Sequence, residues 1–118
     1  MAFEKVLAID PLGNTIVTDT SAGATGQTAV SGAVTIYAVY ADNSGGGAKA
    51  YVKLYNNATP TSGTNNPDVV LMIPAGAARQ YSFPEGIPLA TALTYACVTT
   101  GGTTGTSGCN IPITIVLE

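Results

Sequence analysis

Seven acids are the first candidates for chemistry: Glu4, Asp10, Asp19, Asp42, Asp68, Glu85 and Glu118. A glycosidase needs two carboxyl groups flanking one bond. No two of these acids share a face of one strand within that reach. Histidine, the commonest general base and a frequent zinc ligand, is absent. Asp42-Asn43-Ser44 has the oxygen-rich look of a calcium loop but lacks the bidentate Glu and regular ligand spacing of one. It reads instead as an Asx-type turn. The glycines Gly45–Gly47 cannot cradle phosphate, because no Lys-Ser/Thr follows them. The sequence therefore predicts no enzyme, no cofactor and no metal.

Two other groupings carry possible chemistry. Cys97 and Cys109 flank a Gly/Thr-rich loop, Thr100 to Gly108. If the flanking segments pair as a hairpin with Cys97 opposite Cys109, then Tyr95 faces Ile111 and Leu93 faces Ile113. All of these residues have core parity. Such a pair is close enough for a disulfide, or else stays as two reduced, buried thiols; the redox compartment decides. The second grouping is the alternating row Lys49, Tyr51, Lys53, Tyr55, which holds two of only four basic residues. Tyrosine favours interfaces, offering large area with a polar tip. An ordinary solvated face with snorkelling lysines is the plainer reading.

Composition narrows the setting of these residues. The chain has 118 residues, enough for one domain, 1–118, with a real core. Charged residues make up 9% of it, against about 25% in ordinary soluble domains. A formal charge of −3 cannot supply the phosphate-neutralising patch of a nucleic-acid binder. Disorder is ruled against by a hydrophobic fraction of 46%. The apolar runs are far shorter than the roughly 20 residues that span a bilayer, so no membrane partner is expected. Met1 to Asp10 has no cationic run followed by an apolar stretch, and so does not read as a secretory signal. Synthesis in a cytoplasm follows. So few solubilising charges point to a protein that works in contact with others.

The elements that must position these residues are strands. No helical period persists, and Thr, Val, Ile and Tyr fill the apolar segments. Candidate strands are Lys5–Ile9, Thr15–Thr20, Gln27–Val30, Val34–Ala41, Ala48–Tyr55, Val69–Ile73, Ala78–Phe83, Ala92–Thr99 and Ile111–Leu117. Gly, Asn, Ser and Pro clusters separate them, as in sandwiches and barrels. Asp42 to Gly47 reads as the turn of a hairpin. In Ala48–Tyr55 one face, Ala50, Val52 and Leu54 among it, belongs to a core. Val34–Ala41 and Val69–Ile73 lack a polar face, so both are expected to be covered on both sides. The predicted fold is all-β: an antiparallel sandwich, jelly-roll-like or related, of about eight strands.

The segments Ala48-Lys-Ala-Tyr-Val-Lys-Leu-Tyr-Asn56, Val69-Val-Leu-Met-Ile-Pro-Ala-Gly76, Tyr81-Ser-Phe-Pro-Glu-Gly-Ile87 and Thr91-Ala-Leu-Thr-Tyr-Ala-Cys-Val-Thr99 resemble small structural proteins of tailed bacteriophages. Capsid decoration (cement) proteins are among these. The resemblance covers roughly Val34 to Thr99 and implies a β-sandwich on an outer virion surface. It implies a homo-oligomer whose partner is the major capsid protein or another virion protein. Three readings stand: a cement protein stabilising a capsid, a receptor- or carbohydrate-recognising module of a phage tail or spike, and a subunit of a bacterial surface fibre. The first is the favoured one, with Lys49, Tyr51, Lys53 and Tyr55 as its interface.

Overall fold

β-Branched and aromatic residues alternating with polar ones build strands throughout the computed structural model, which describes residues 5–9 (by their backbone), 14–61 and 63–118. Glu4 and Asp10 lie outside the described residues. Nine strands are present among those described: β1 (Lys5–Ile9), β2 (Thr15–Ala22), β3 (Gln27–Val30), β4 (Val34–Asn43), β5 (Ala50–Tyr55), β6 (Val69–Ile73), β7 (Ala77–Leu89), β8 (Leu93–Val98) and β9 (Ile111–Leu117). They form a five-stranded sheet, β1-β2-β9-β4-β7, and a four-stranded sheet, β3-β8-β5-β6.

Every pairing is antiparallel, and the pattern is nested. β5 pairs β6, β4 pairs β7, β3 pairs β8 and β2 pairs β9. The chain from β2 to β9 is thus one long hairpin wound into two sheets, with β4–β9 and β5–β8 contacts completing them. This is the jelly-roll arrangement, with β1 added on the outer edge of β2. Between the sheets lies one core, which includes Val17, Ile36, Val39, Val52, Leu54, Leu93, Ile113 and Ile115.

The nesting corrects two expected hairpins. β4 and β5 lie in different sheets, so Ser44–Lys49 is a corner between layers and not a hairpin turn. Likewise β8 and β9 do not pair along their length, and the registers Tyr95–Ile111 and Leu93–Ile113 do not occur. Tyr95 instead faces Gln27 and Leu54, while Ile113 faces Asp19 and Ala41. Turn chemistry reports where a chain reverses. It does not report which layer the next strand joins.

A bulge reassigns the faces of β4. Opposite Ile36 and Ala38, β9 has adjacent residues Leu117 and Val116, which leaves Tyr37 as an extra residue. The period-2 alternation slips there by one. Val39 and Ala41 are consequently buried, and Tyr40 is 41% exposed. On the other side β7 places four residues, Phe83 to Gly86, across from the same Tyr37. Gly86 is required at that detour: its φ is +78°, and a Cβ there would sit 2.4 Å from Thr35 Cγ2. β7 runs on to Leu89 despite Pro84 and Pro88, because a sheet edge tolerates missing donors. β6 is also an edge strand. Leu71 and Ile73 face the core, whereas Val70 and Met72 are each 39% exposed, so it is not covered on both faces.

Candidate functional site

The Lys49–Tyr55 row points away from the core, as its parity requires, but it is not a free surface. Lys53 and Tyr55 are buried, Tyr51 is half-buried, and only Lys49 is exposed. Two loops fold back over it. The loop after β8 lays Gly101 on the Tyr51 ring, where a Cβ would come within 3.0 Å of Cε1. Its Thr104 carbonyl accepts a hydrogen bond from Lys53 Nζ at 2.8 Å. The loop after β5 is fastened alongside. Thr94 Oγ1 donates to Asn57 O at 2.6 Å and Thr28 Oγ1 to Ala58 O at 2.8 Å. Thr103 Oγ1 and Asn66 Oδ1 then join the two loops. This outer face is a second buried layer. As an interface, Tyr51, Lys53 and Tyr55 are withdrawn, because the chain's own loops already occupy the face.

Burial lowers the Lys53 pKa from its ordinary 10.5. Between that lowered value and 10.5 the unfolded chain binds more protons at this site, so stability rises with pH. Lys53→Met removes this dependence and leaves only the Thr104 carbonyl to be satisfied, on an exposed residue that water can reach. The variant is expected to match or exceed the parent by on the order of 1 kcal/mol at pH 7.5. The difference should shrink by pH 10. Urea unfolding at both pH values measures it; a variant destabilised equally at both would show that the amine stabilises the layer.

The acids are dispersed. Asp42 accepts the Ser44 amide at 2.9 Å, the Asx geometry expected for this turn, and hydrogen bonding from Ser44 holds its pKa below the ordinary value. Asp68 Oδ2 accepts the Asn56 amide at 2.7 Å. Asp19 is buried in the core. No group of three or more His, Cys, Asp or Glu side chains suited to a metal occurs among the described residues. No helix there is long and apolar enough to cross a membrane.

Cys97 and Cys109 do meet, although not through a β8–β9 ladder. A short antiparallel bridge pairs Val98 with Gly108. Beside it the Cys109 amide donates to Cys97 O at 3.1 Å. The cysteines are therefore cross-strand neighbours at the neck of the loop, before β8 and β9 diverge into separate sheets.

Among the described residues, no segment lies over the outer face of the other sheet. Across β2, β9, β4 and β7 the register aligns Ile16, Val116, Ala38 and Ser82 in one outward row. The next row holds Thr18, Thr114, Tyr40 and Gln80. None of these eight residues is charged, and all are half-buried or exposed. This face escapes the sequence because β4, apolar on both sides, reads as a strand covered on both faces. A strand without a polar face equally suits a sheet that awaits a partner.

Beside these rows, Ser82 to Ile87 line an open cleft of about 530 Å³ next to Tyr37. No family model, curated protein or solved structure matches this chain.

Proposed function

We propose that this protein is a non-enzymatic structural subunit of a larger assembly, most specifically a capsid decoration protein that binds a virion shell and stabilises it. The observation that carries the reading is the pair of uncharged rows on the outer face of the β2-β9-β4-β7 sheet, which no described segment covers. The jelly roll supports it in kind, since this architecture recurs in viral capsid proteins as well as in lectins and cupins; by itself it names no function. Docking is assigned to Ile16, Ala38, Tyr40, Thr114 and Val116 in place of the β5 row.

The size of the face sets how it works. Four strands about 4.8 Å apart, over five residues of about 3.4 Å rise, give a face of roughly 20 by 17 Å. That is smaller than the roughly 800 Å² per partner of a standard interface. One contact is then weak, and copies linked to one another hold a lattice through multivalency. With no charge in the rows, binding should depend little on salt.

The experiment is co-sedimentation of the purified chain with virion shells, followed by electron microscopy of the pellet. The wild-type chain is expected to pellet at both 50 mM and 500 mM salt, settings chosen to span about a threefold change in screening length. Val116→Glu, which buries an unpaired charge at the contact, should reduce occupancy at least about tenfold. A chain that stays monomeric and never pellets sinks the proposal.

A second reading, recognition of a receptor or carbohydrate by a tail or spike, is favoured by Tyr37 beside the Ser82–Ile87 cleft and by exposed Tyr40 on the same sheet, paired with Gln80. Saturable oligosaccharide binding lost in Tyr40→Ala, with no affinity for particles, would select it.

A further inference from the structure

Cys97 is fully buried on β8, with its side chain in the core. Cys109 is half-buried and packs against that core from the end of the loop. The two main chains are tied by the Cys109 N–H to Cys97 O bond at 3.1 Å. A hydrogen-bonded cross-strand pair has Cα atoms about 5.5 Å apart, near the commonest disulfide separation; here one of the two bonds is made, and the Cys97 amide donates instead to Gly23 O at 2.8 Å. Both side chains belong to the same packed core. Both are free. Little backbone movement separates this arrangement from a bond.

We propose that Cys97 and Cys109 form an oxidative latch, closed by thiol–disulfide exchange in which half-exposed Cys109 attacks and buried Cys97 resolves. The asymmetry of exposure assigns the roles, because an incoming disulfide can reach only the outer sulfur. The electrostatics agree. Hydrogen bonding from the Cys97 thiol, joined by the Tyr51 amide, favours the Cys109 thiolate, while the same hydrogen bond and burial hold Cys97 protonated.

With a low-molecular-weight disulfide such as oxidised glutathione, the Cys109 thiolate displaces one glutathione thiolate and forms a mixed disulfide. Cys97 then attacks Cys109 Sγ and passes its proton to the departing glutathione sulfur, which leaves as the second glutathione thiol. Two protein thiols are oxidised and one glutathione disulfide is reduced to two thiols.

The bond would close the loop whose Thr104 carbonyl holds Lys53 and whose Gly101 covers Tyr51. It would also join β8 of one sheet to the start of β9 in the other. The latch thus locks the loop layer over the four-stranded sheet. It does not depend on what the open face of the other sheet binds.

The test is oxidation of the purified, reduced full-length chain with oxidised glutathione, followed by intact-mass measurement under non-reducing conditions. The wild-type chain is expected to form no intermolecular disulfide and to lose two hydrogens without a lasting adduct. Its Tm should rise by on the order of 10 °C, reversibly with a reducing thiol. Cys97→Ser should accumulate one glutathione adduct on Cys109, whereas Cys109→Ser should react about 100-fold more slowly. Equal reactivity of the two single variants would overturn the assigned roles. A wild-type chain that stops at the mixed disulfide, forms intermolecular dimers, or melts lower when oxidised would overturn the latch itself, and that readout needs no variant to fold.

Discussion

Tyr95→Phe is expected to lose about 2–4 kcal/mol of folding stability at pH 7, and to lose less than the parent when the pH is then raised above 10. The first half follows from Asp19. That side chain is fully buried in β2 and faces the core, where charged residues are almost never found without partners. Its Oδ1 accepts the Ser21 amide at 2.9 Å, satisfying a donor freed by the bulge between Asp19 and Ala22. Its Oδ2 accepts the Tyr95 hydroxyl at 2.7 Å from the opposite sheet. Phenylalanine keeps the ring and deletes only the oxygen, so the loss measures a carboxyl group stranded in the core.

The second half follows from the phenol. Burial, then the hydrogen bond to Asp19 and its charge, hold the Tyr95 pKa well above its ordinary 10.0. In the unfolded chain this phenol ionises near pH 10, while in the folded chain it keeps its proton. The folded state therefore binds more protons above pH 10, and the parent loses about 1.4 kcal/mol per pH unit from this group. Tyr95→Phe lacks that term, so the gap between parent and variant should narrow from pH 10 to 11. Urea unfolding at pH 7, 10 and 11, values chosen to bracket the ordinary phenol pKa, reads both effects. A gap that widens with pH would mean the phenol ionises more readily in the fold, contrary to its burial.

How far such features could be read from sequence depends on whether the information is local. β9 was legible: Ile111, Ile113, Ile115 and Leu117 are buried, and Pro112, Thr114 and Val116 face outward, as simple alternation demands. The inner face of β5 was legible for the same reason. β4 was not, because a single bulge residue, Tyr37, inverts the alternation midway and nothing in Val34–Ala41 announces it. Pairing partners were harder still. The nested winding places Val17 beside Ile115, at the far end of the chain, whereas turn residues advertise only the nearest reversal.

The β5 row failed by a third route. Lys53 looks like solvent-facing charge because buried lysine is rare, and the carbonyl of Thr104, far along the chain, makes its burial tolerable. Asp19 did leave a trace. It shares the inward parity of Val17 in β2, and an acid at a core position implies a distant donor. The proximity of the cysteines was readable from the loop they flank, but the sheets to which their strands belong were not.

Asn43→Ala is expected to cost about 2–3 kcal/mol, lowering Tm by on the order of 10 °C, and Gly46→Ala should cost a comparable amount by disabling the same side chain. Asn43 ends β4 and is 2% exposed. Its Nδ2 donates to Ala48 O at 2.9 Å and to Pro74 O at 3.1 Å. Its main-chain oxygen accepts the amides of Gly46 at 3.0 Å and Gly76 at 3.1 Å. One residue thereby ties together the β4–β5 and β6–β7 corners, two of the four places at this end where the chain changes sheets. Gly46 owes its identity to contact, not to backbone conformation, since it is not among the positive-φ glycines. A Cβ there would lie 2.0 Å from Asn43 Oδ1, and an amide held by two hydrogen bonds cannot swing away without breaking them. The substitutions should therefore not add. Once Asn43 is alanine the obstructing oxygen is gone, and Gly46→Ala becomes neutral or slightly stabilising, by a few tenths of a kcal/mol, through reduced freedom of the unfolded chain. A double-mutant cycle in urea should return a coupling of about 2 kcal/mol. Strictly additive losses would mean that the corner relieves the clash by moving its backbone, and that the Asn43 amide is not what holds the two corners together.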